Sequence, residues 1–294
     1  MNKRLYILAI LLLLGAVLGV VAQVDHPPAS GGETPFTFAV FGDNRPGGAN
    51  DDQPEAFKAI LAKMSEMQPA FALNTGDCIL GSSSLVKTKA QYAGYVKTVE
   101  PLFTPKIYLA VGNHEMKGGK DAFEFFARET GAPYYSFDSG NSHFIALHSN
   151  IPGESGRITG DQLDWLKKDL EKSRAAAHKF VFLHEPLYPV DGHKGSSLDQ
   201  YPKDRDALHS LFVRNRITAV FVGHEHLFHE EVRNGVRYII TGGGGAGVYP
   251  SAEGTGDFHH FVLVTISGDK VEMKVVKIAQ HGRPEEILPI GEAP

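Results

Sequence analysis

Five apolar runs, each followed within a few residues by a short polar motif, constrain this chain more than any other feature. The runs are Phe36–Phe41, Ala70–Leu73, Lys106–Val111, Lys179–Leu183 and Ile217–Val222. The motifs are Gly42-Asp43-Asn44-Arg45, Gly76-Asp77, Gly112-Asn113-His114-Glu115, His184-Glu185-Pro186 and Gly223-His224-Glu225-His226. Short runs rich in Val, Ile, Phe and Tyr read as buried strands. Strands that release polar groups at a common end build a cleft at one sheet edge. Asp, Asn and His released there form the ligand set of a borderline divalent metal.

Helical patterns alternate with the strands. Pro54–Met67 carries Phe57, Ile60, Leu61 and Met64 at helical spacing, and Thr159–Ser173 carries Leu163, Trp165, Leu166 and Leu170, with Thr159 as N-cap. Asp121–Thr130 and Asp204–Arg214 read as helices too. After Gly223 the pattern turns to strands: Leu227–Arg233, Val236–Thr241, His259–Ile266 and Val271–Ile278, with a hairpin turn at Asn234-Gly235. One α/β domain with two sheets accommodates this order. A chain of 294 residues with 42% hydrophobic and 21% charged content can build one sizeable core. The net charge of −5 and the lack of a basic stripe exclude an evident nucleic-acid surface.

Residues 1–22 read as a targeting segment. Lys3 and Arg4 precede an apolar stretch from Leu5 to Ala22, and Val20-Val21-Ala22 offers small residues for cleavage, which would leave Gln23 first. The stretch is also nearly long enough to stay uncleaved as a signal anchor, which would be the chain's only route to a membrane. Either way the chain reads as exported: periplasmic, in the cell envelope or secreted. Residues 23–34 form a Pro/Gly/Ser-containing linker, 35–283 the folded domain, and 284–294 a C-terminal tail. Cys78 is the sole cysteine, so no internal disulfide forms. It reads as a buried thiol beneath the site rather than a ligand.

A two-metal phosphoryl-transfer site needs a bridging oxygen ligand, nitrogen or oxygen ligands on each metal, and an open position for a hydroxide. The five motifs offer that set. Asp after Gly at a strand end can bridge two cations, Asn can give a carbonyl oxygen, and His224 and His226, two apart, share one side of an extended backbone.

The ordered motifs Gly-Asp, Gly-Asp, Gly-Asn-His-Glu, His and Gly-His-x-His resemble the calcineurin-like metallophosphoesterase superfamily over roughly Phe36 to Ala246. The resemblance implies a four-layer α/β/β/α sandwich of two mixed sheets with a dinuclear centre at the strand ends. It implies that Asp43 binds the first metal, that Asp77 bridges, that Asn113, His184 and His224 bind the second, and that His226 returns to the first. His114 would sit outside the metals as substrate contact and proton donor. Two divalent ions, Mn, Fe or Zn, fit these ligands.

Arg45 departs from the pattern. The family has His there as a ligand of the first metal, and guanidinium cannot ligate. The purple acid phosphatase branch compensates with a Tyr three residues after the bridging Asp; here that position is Leu80. The first site is therefore expected to be weak. Arg45 either clamps phosphate with its planar fork or points to solvent or to a nearby carboxylate.

Other polar residues read more plainly. Thr241 to Gly245 forms a tight strand-end loop, and His143, His148, His178 and His209 are structural or surface groups. His193 reads as a solvated loop residue, and Glu225 points away from the metals. Gly81–Thr98 and Tyr188–Asp199 are the segments expected to cap the site. The expected activity is hydrolysis of a small phosphomonoester or phosphodiester by a metal-bridging hydroxide. The alternative is a metal-binding envelope protein that has lost catalysis.

Overall fold

The computed structural model describes residues 34–248, 256–279 and 284–291. The targeting segment 1–22 and nearly all of the linker lie outside the described residues. Two six-stranded mixed sheets stack face to face. The first has β12 (Glu286–Pro289), β11 (Lys270–Lys277), β10 (His260–Ser267), β1 (Phe36–Phe41), β2 (Phe71–Asn74) and β3 (Lys106–Leu109) in that spatial order. The second has β4 (Tyr135–Ser139), β5 (Ser142–Ala146), β6 (His178–Phe182), β7 (Ala219–Val222), β9 (Val236–Thr241) and β8 (Phe228–Arg233). Strands β1, β2 and β3 run parallel, as do β5, β6, β7 and β9.

Strand alternation sets the layers. In β1, Phe38 and Val40 face the opposite sheet, while Ala39 and Phe41 face helices. In β6, Phe180 and Phe182 face inward, and Val181 and Leu183 face outward. Phe38 marks the seam: its ring lies 5.1–6.3 Å from those of Phe144, Phe180 and Phe221 across the gap, all edge-on, and stacks on Phe71 within its own sheet. Helices α1 (Glu55–Met67), α2 (Leu85–Val99) and α3 (Gly119–Glu129) cover the first sheet, and α4 (Gly160–Lys172) and α5 (Pro202–Arg214) cover the second. The result is the expected four-layer α/β/β/α sandwich.

Several expectations need correction. The segment read as a cap, Gly81–Thr98, is mostly α2, which buries Thr88 and Tyr95 against the first sheet. Its apolar face mixes Leu85, Val96 and Val99 with Tyr92 and Tyr95 and is interrupted by Lys and Gly, which blurs the helical period. The segment read as a tail supplies β12, paired with β11 and placing Ile290 in the inter-sheet core. Thr159 holds the N-cap position but makes no capping bond; its hydroxyl donates to Glu154 Oε2 instead. The apolar runs do not single out the β4–β5 hairpin, which turns at Gly140-Asn141. Among the described residues, no helix is long and apolar enough to cross a membrane.

Candidate metal centre

Parallel register brings the motifs to one edge. Phe41 lies beside Asn74, and Asn74 beside Leu109; in the second sheet Phe182 lies beside Phe221, and Val222 beside Ile240. The loops after β1, β2 and β3 thus leave the first sheet together, and those after β6, β7 and β9 leave the second opposite them. The motif glycines serve close approach. A Cβ on Gly112 would collide with Asp77 Oδ1, and one on Gly223 with Asp43 Oδ2. Asp43, Asp77 and His224 have φ of 58°, 56° and 71°, left-handed backbone that costs a non-glycine residue about 1–3 kcal/mol. Strain of that kind persists only where surrounding structure enforces it, and here it marks three residues facing one cleft.

The cleft gathers two groups of lone pairs joined by Asp77. In one, His184 Nε2 lies 2.9 Å from Asn113 Oδ1, 3.1 Å from His224 Nδ1 and 3.4 Å from Asp77 Oδ1. His184 Nδ1 is 3.0 Å from the Thr75 carbonyl, which can only accept, so Nδ1 carries the hydrogen and Nε2 presents its lone pair. In the other, His226 Nε2 is 3.5 Å from Asp43 Oδ1, and its Nδ1 hydrogen goes to the Gly247 carbonyl at 2.8 Å. Asp43 Oδ2 accepts the His224 amide at 2.9 Å, whereas Asp43 Oδ1 is buried without a hydrogen-bond partner. Oxygen and nitrogen atoms of Asp43, Asp77 and His184 all lie within 4.8 Å of one another. Carbonyls that fix ring tautomers and a buried carboxylate oxygen left unpaired fit a metal-binding set. His224 and His226 do not sit on an extended backbone as expected. Tight bonds from Glu225 N to Gly223 O and from Leu227 N to Glu225 O curl the chain, and the two rings reach separate groups.

Electrostatics favour a cation here. Burial and the neighbouring Asp43 charge push the Asp77 carboxyl up to about 8. Burial also acts to raise Asp43, but His226, His184 and His224 around it hold it below the usual range. Two carboxylates sharing a dry site resist joint ionisation unless positive charge enters.

Arg45 and His114 flank the bridging carboxylate. Arg45 Nε and His114 Nε2 each lie 3.8 Å from Asp77 Oδ2, and Arg45 Nε is buried with no hydrogen bond. Arg45 thus turns toward a carboxylate, not away into solvent. His114 Nδ1 donates to the Leu80 carbonyl at 2.7 Å, so a backbone oxygen rather than a carboxylate orients the ring. Burial, Arg45 and Lys117 push its pKa down to about 4.

Supporting residues escape a reading of motifs alone. Glu115, fully buried, accepts the amides of Asp77, Cys78, Ile79 and Gly112 at 2.8–3.2 Å. Burial and Asp77 push it up to about 7. Asn74 accepts the Gly76 amide and donates to Asn44 Oδ1, and Asn44 donates to Gln53, tying the β1 and β2 loops together. His193 is partly buried with its ring centroid 4.0 Å from that of His224 rather than solvated in its loop. Glu225 points away from the cleft, and Cys78 is buried, as expected. The Gly242–Gly245 loop packs behind Asp43, with Gly244 N bonded to Gly42 O and Ala246 N to Asp43 O.

Comparison with known proteins identifies the family and the fold. The model of the calcineurin-like phosphoesterase family matches residues 36–228. Purple acid phosphatase 23 of Arabidopsis thaliana is 31% identical over 171 residues, covering 50% of this chain and 36% of that protein. The chain therefore spans about a third of that relative's length. Among solved structures, purple acid phosphatase PPD1 from yellow lupin (Lupinus luteus) superposes with a TM-score of 0.69 at 17% identity, covering 87% of this chain and 54% of that one. A dimetal phosphatase from Danio rerio superposes with a TM-score of 0.61 at 12% identity, covering 86% and 98%. At those identities the structures establish the fold.

Proposed function

The chain belongs to the calcineurin-like phosphoesterase family, and from that premise we propose that it is an exported, metal-dependent phosphoesterase acting on a small phosphorylated substrate. The observation that carries this reading is the convergence of lone pairs from Asp43, Asp77, Asn113, His184, His224 and His226, with a buried Asp43 oxygen that makes no hydrogen bond and lies 3.5 Å from His226 Nε2.

In this reading Asp43 and His226 would hold one cation, Asn113, His184 and His224 would hold the other, and Asp77 would serve both. Bound divalent ions would supply an activated water and neutralise phosphate charge. The residues do the rest. Arg45 offers an uncommitted Nε–H beside Asp77, suited to a phosphate oxygen. His114, its Nδ1–H committed to Leu80, turns Nε2 toward the same place. Proton donation needs Nε2 protonated, which burial, Arg45 and Lys117 oppose until an anionic phosphate lies beside the ring. His193, against His224, lies close enough to the cleft to touch substrate. Export is supported by Lys3, Arg4 and the stretch Leu5–Ala22. Mature protein should begin at Gln23, and membrane-bound protein retaining Met1 would mean an anchor instead.

The deciding experiment assays phosphomonoesters, phosphodiesters and nucleotides with Mn, Fe, Zn and Mg in turn, alongside metal analysis. Turnover dependent on bound metal supports an enzyme. Two metals bound with no turnover on any substrate would favour the metal-binding envelope protein.

A further inference from the structure

The Glu of Gly223-His224-Glu225-His226 has no part in the metal groups, yet it is fully buried. Its two carboxylate oxygens each accept one backbone amide, Val190 N at 2.8 Å and Asp191 N at 2.7 Å. Those amides belong to the loop that follows His184. Two residues further on, the same loop sets the His193 ring against His224, with centroids 4.0 Å apart and planes at 46°. His193 Nδ1 is buried with no hydrogen bond of its own. The ring therefore owes its position to its backbone and to contact with His224. Beyond His193 the loop is tied to itself: Lys194 N bonds to Asp191 O, and Ser196 N and Oγ and Ser197 Oγ all reach His193 O. A self-bonded loop moves as a unit, and its position is set where it is anchored.

We propose that Glu225 is a positioning residue: it latches the 190–191 backbone to the loop that carries His224 and His226, and so holds His193 over the substrate side of the centre. The geometry explains why a long carboxylate stands between two histidines. Two parallel N–H groups need two acceptors on one side chain, and an ionised carboxylate bonds amides more strongly than a neutral group. Glutamine would keep one acceptor and turn an N–H against the other amide. Alanine would leave both buried amides unsatisfied. The catalytic consequence rests on the phosphoesterase reading above, whereas the latch itself does not.

The test compares the parent, Glu225→Ala, Glu225→Gln, His193→Ala and the Glu225→Ala/His193→Ala double variant. Amide exchange needs no turnover. Peptides over 186–199 should exchange about tenfold or more faster in Glu225→Ala, with β6 and β7 still protected, and Glu225→Gln should fall between. If Glu225→Ala does not fold, Glu225→Gln against the parent carries the comparison. Metal content should stay at the parent's value, because no ligand is touched. KM for the best phosphomonoester should rise about tenfold with kcat changed little, as expected when a substrate contact is misplaced. The double variant should be no worse than His193→Ala, because both act through one ring. Unchanged loop exchange would overturn the latch. Faster exchange with additive kinetic losses would overturn its action through His193. A parent protein without turnover would defeat the phosphoesterase reading and still leave the latch decided by exchange.

Discussion

Asp77 concentrates the electrostatic problem of this molecule in one side chain. Its carboxyl, raised to about 8 by burial and by Asp43, holds a proton in the folded protein that it would release near 4 once unfolded. At this group the folded state then binds more protons than the unfolded state between those two values. Below about 6.5 His114, His148, His224 and His260, whose pKa values burial lowers, act the other way, so metal-free protein should lose stability as pH rises from about 6.5 to about 8. A divalent cation replaces that proton, so added Mn or Zn should stabilise more at pH 8 than at pH 5. Urea melts of chelated and metal-loaded protein at both values check this, and an equal gain at both would contradict it. Arg45 is the second case. It stands where a metal-binding His is expected, 3.8 Å from Asp77, and in the proposed assignment only Asp43, Asp77 and His226 remain for the first metal. Dialysed protein should hold close to one tight metal. Arg45→His should hold two, and Arg45→Ala should weaken phosphate binding without adding a metal. Two equally tight metals in all three proteins, read by metal analysis, would rule out a weak first site, and phosphate binding unchanged in Arg45→Ala would rule out the clamp.

Among the loops, Glu115 shows how one side chain organises two of them. Four backbone amides, from Gly112 and from Asp77, Cys78 and Ile79, converge on its carboxylate. They enclose the strained turn that gives Asp77 its φ of 56°. Each amide left without a partner in the interior costs about 1–3 kcal/mol. Glu115→Ala should therefore destabilise the protein by about 3 kcal/mol or more in urea unfolding, and should release metal even though Glu115 is no ligand. Retained metal with that loss of stability would show that Glu115 supports the fold alone. At this scale the sequence was legible where an element announces its own period. Phe57, Ile60, Leu61 and Met64 mark α1, and the Val, Tyr and Ile of Val236–Thr241 after the Asn234-Gly235 turn mark β9. It was less legible where partners decide. The α2 face is defined by Tyr92 and Tyr95 packing on Phe57, Phe125 and Phe126, which no local pattern reveals. The His224–His226 backbone curls because its amides bond to carbonyls two residues away, so a strand rule misplaced it.

Across the whole molecule, the candidate centre lies on the seam between the sheets. Asp43, Asp77 and Asn113 leave the first sheet, and His184, His224 and His226 leave the second. Residue identity made the site legible in the sequence, since Asp, Asn and His at strand ends suffice to suggest a metal. The contribution of Glu286–Pro289 was not legible, because this mostly exposed strand has only Ile287 and Leu288 as an apolar signal and gains its meaning from β11 beside it. If these groups hold the ions as proposed, bound metal would tie the two sheets together as the Phe38 cluster does from within. A ligand present at a hundred times its Kd stabilises the folded state by about 2.7 kcal/mol, which for a domain of this size raises Tm by about 5–10 °C. Metal-loaded protein at pH 8 should melt that much higher than chelated protein, in one transition seen alike by far- and near-ultraviolet circular dichroism. Asp77→Asn separates the two sources of the effect. It removes the buried charge that opposes folding of the metal-free chain, and it also removes the group proposed to touch both metals. At pH 8 its chelated form should therefore melt above the chelated parent, and added metal should raise it far less. A variant that melts below the chelated parent would mean that the Asp77 charge does not oppose folding, and one that gains as much from metal would mean that Asp77 does not hold the ions.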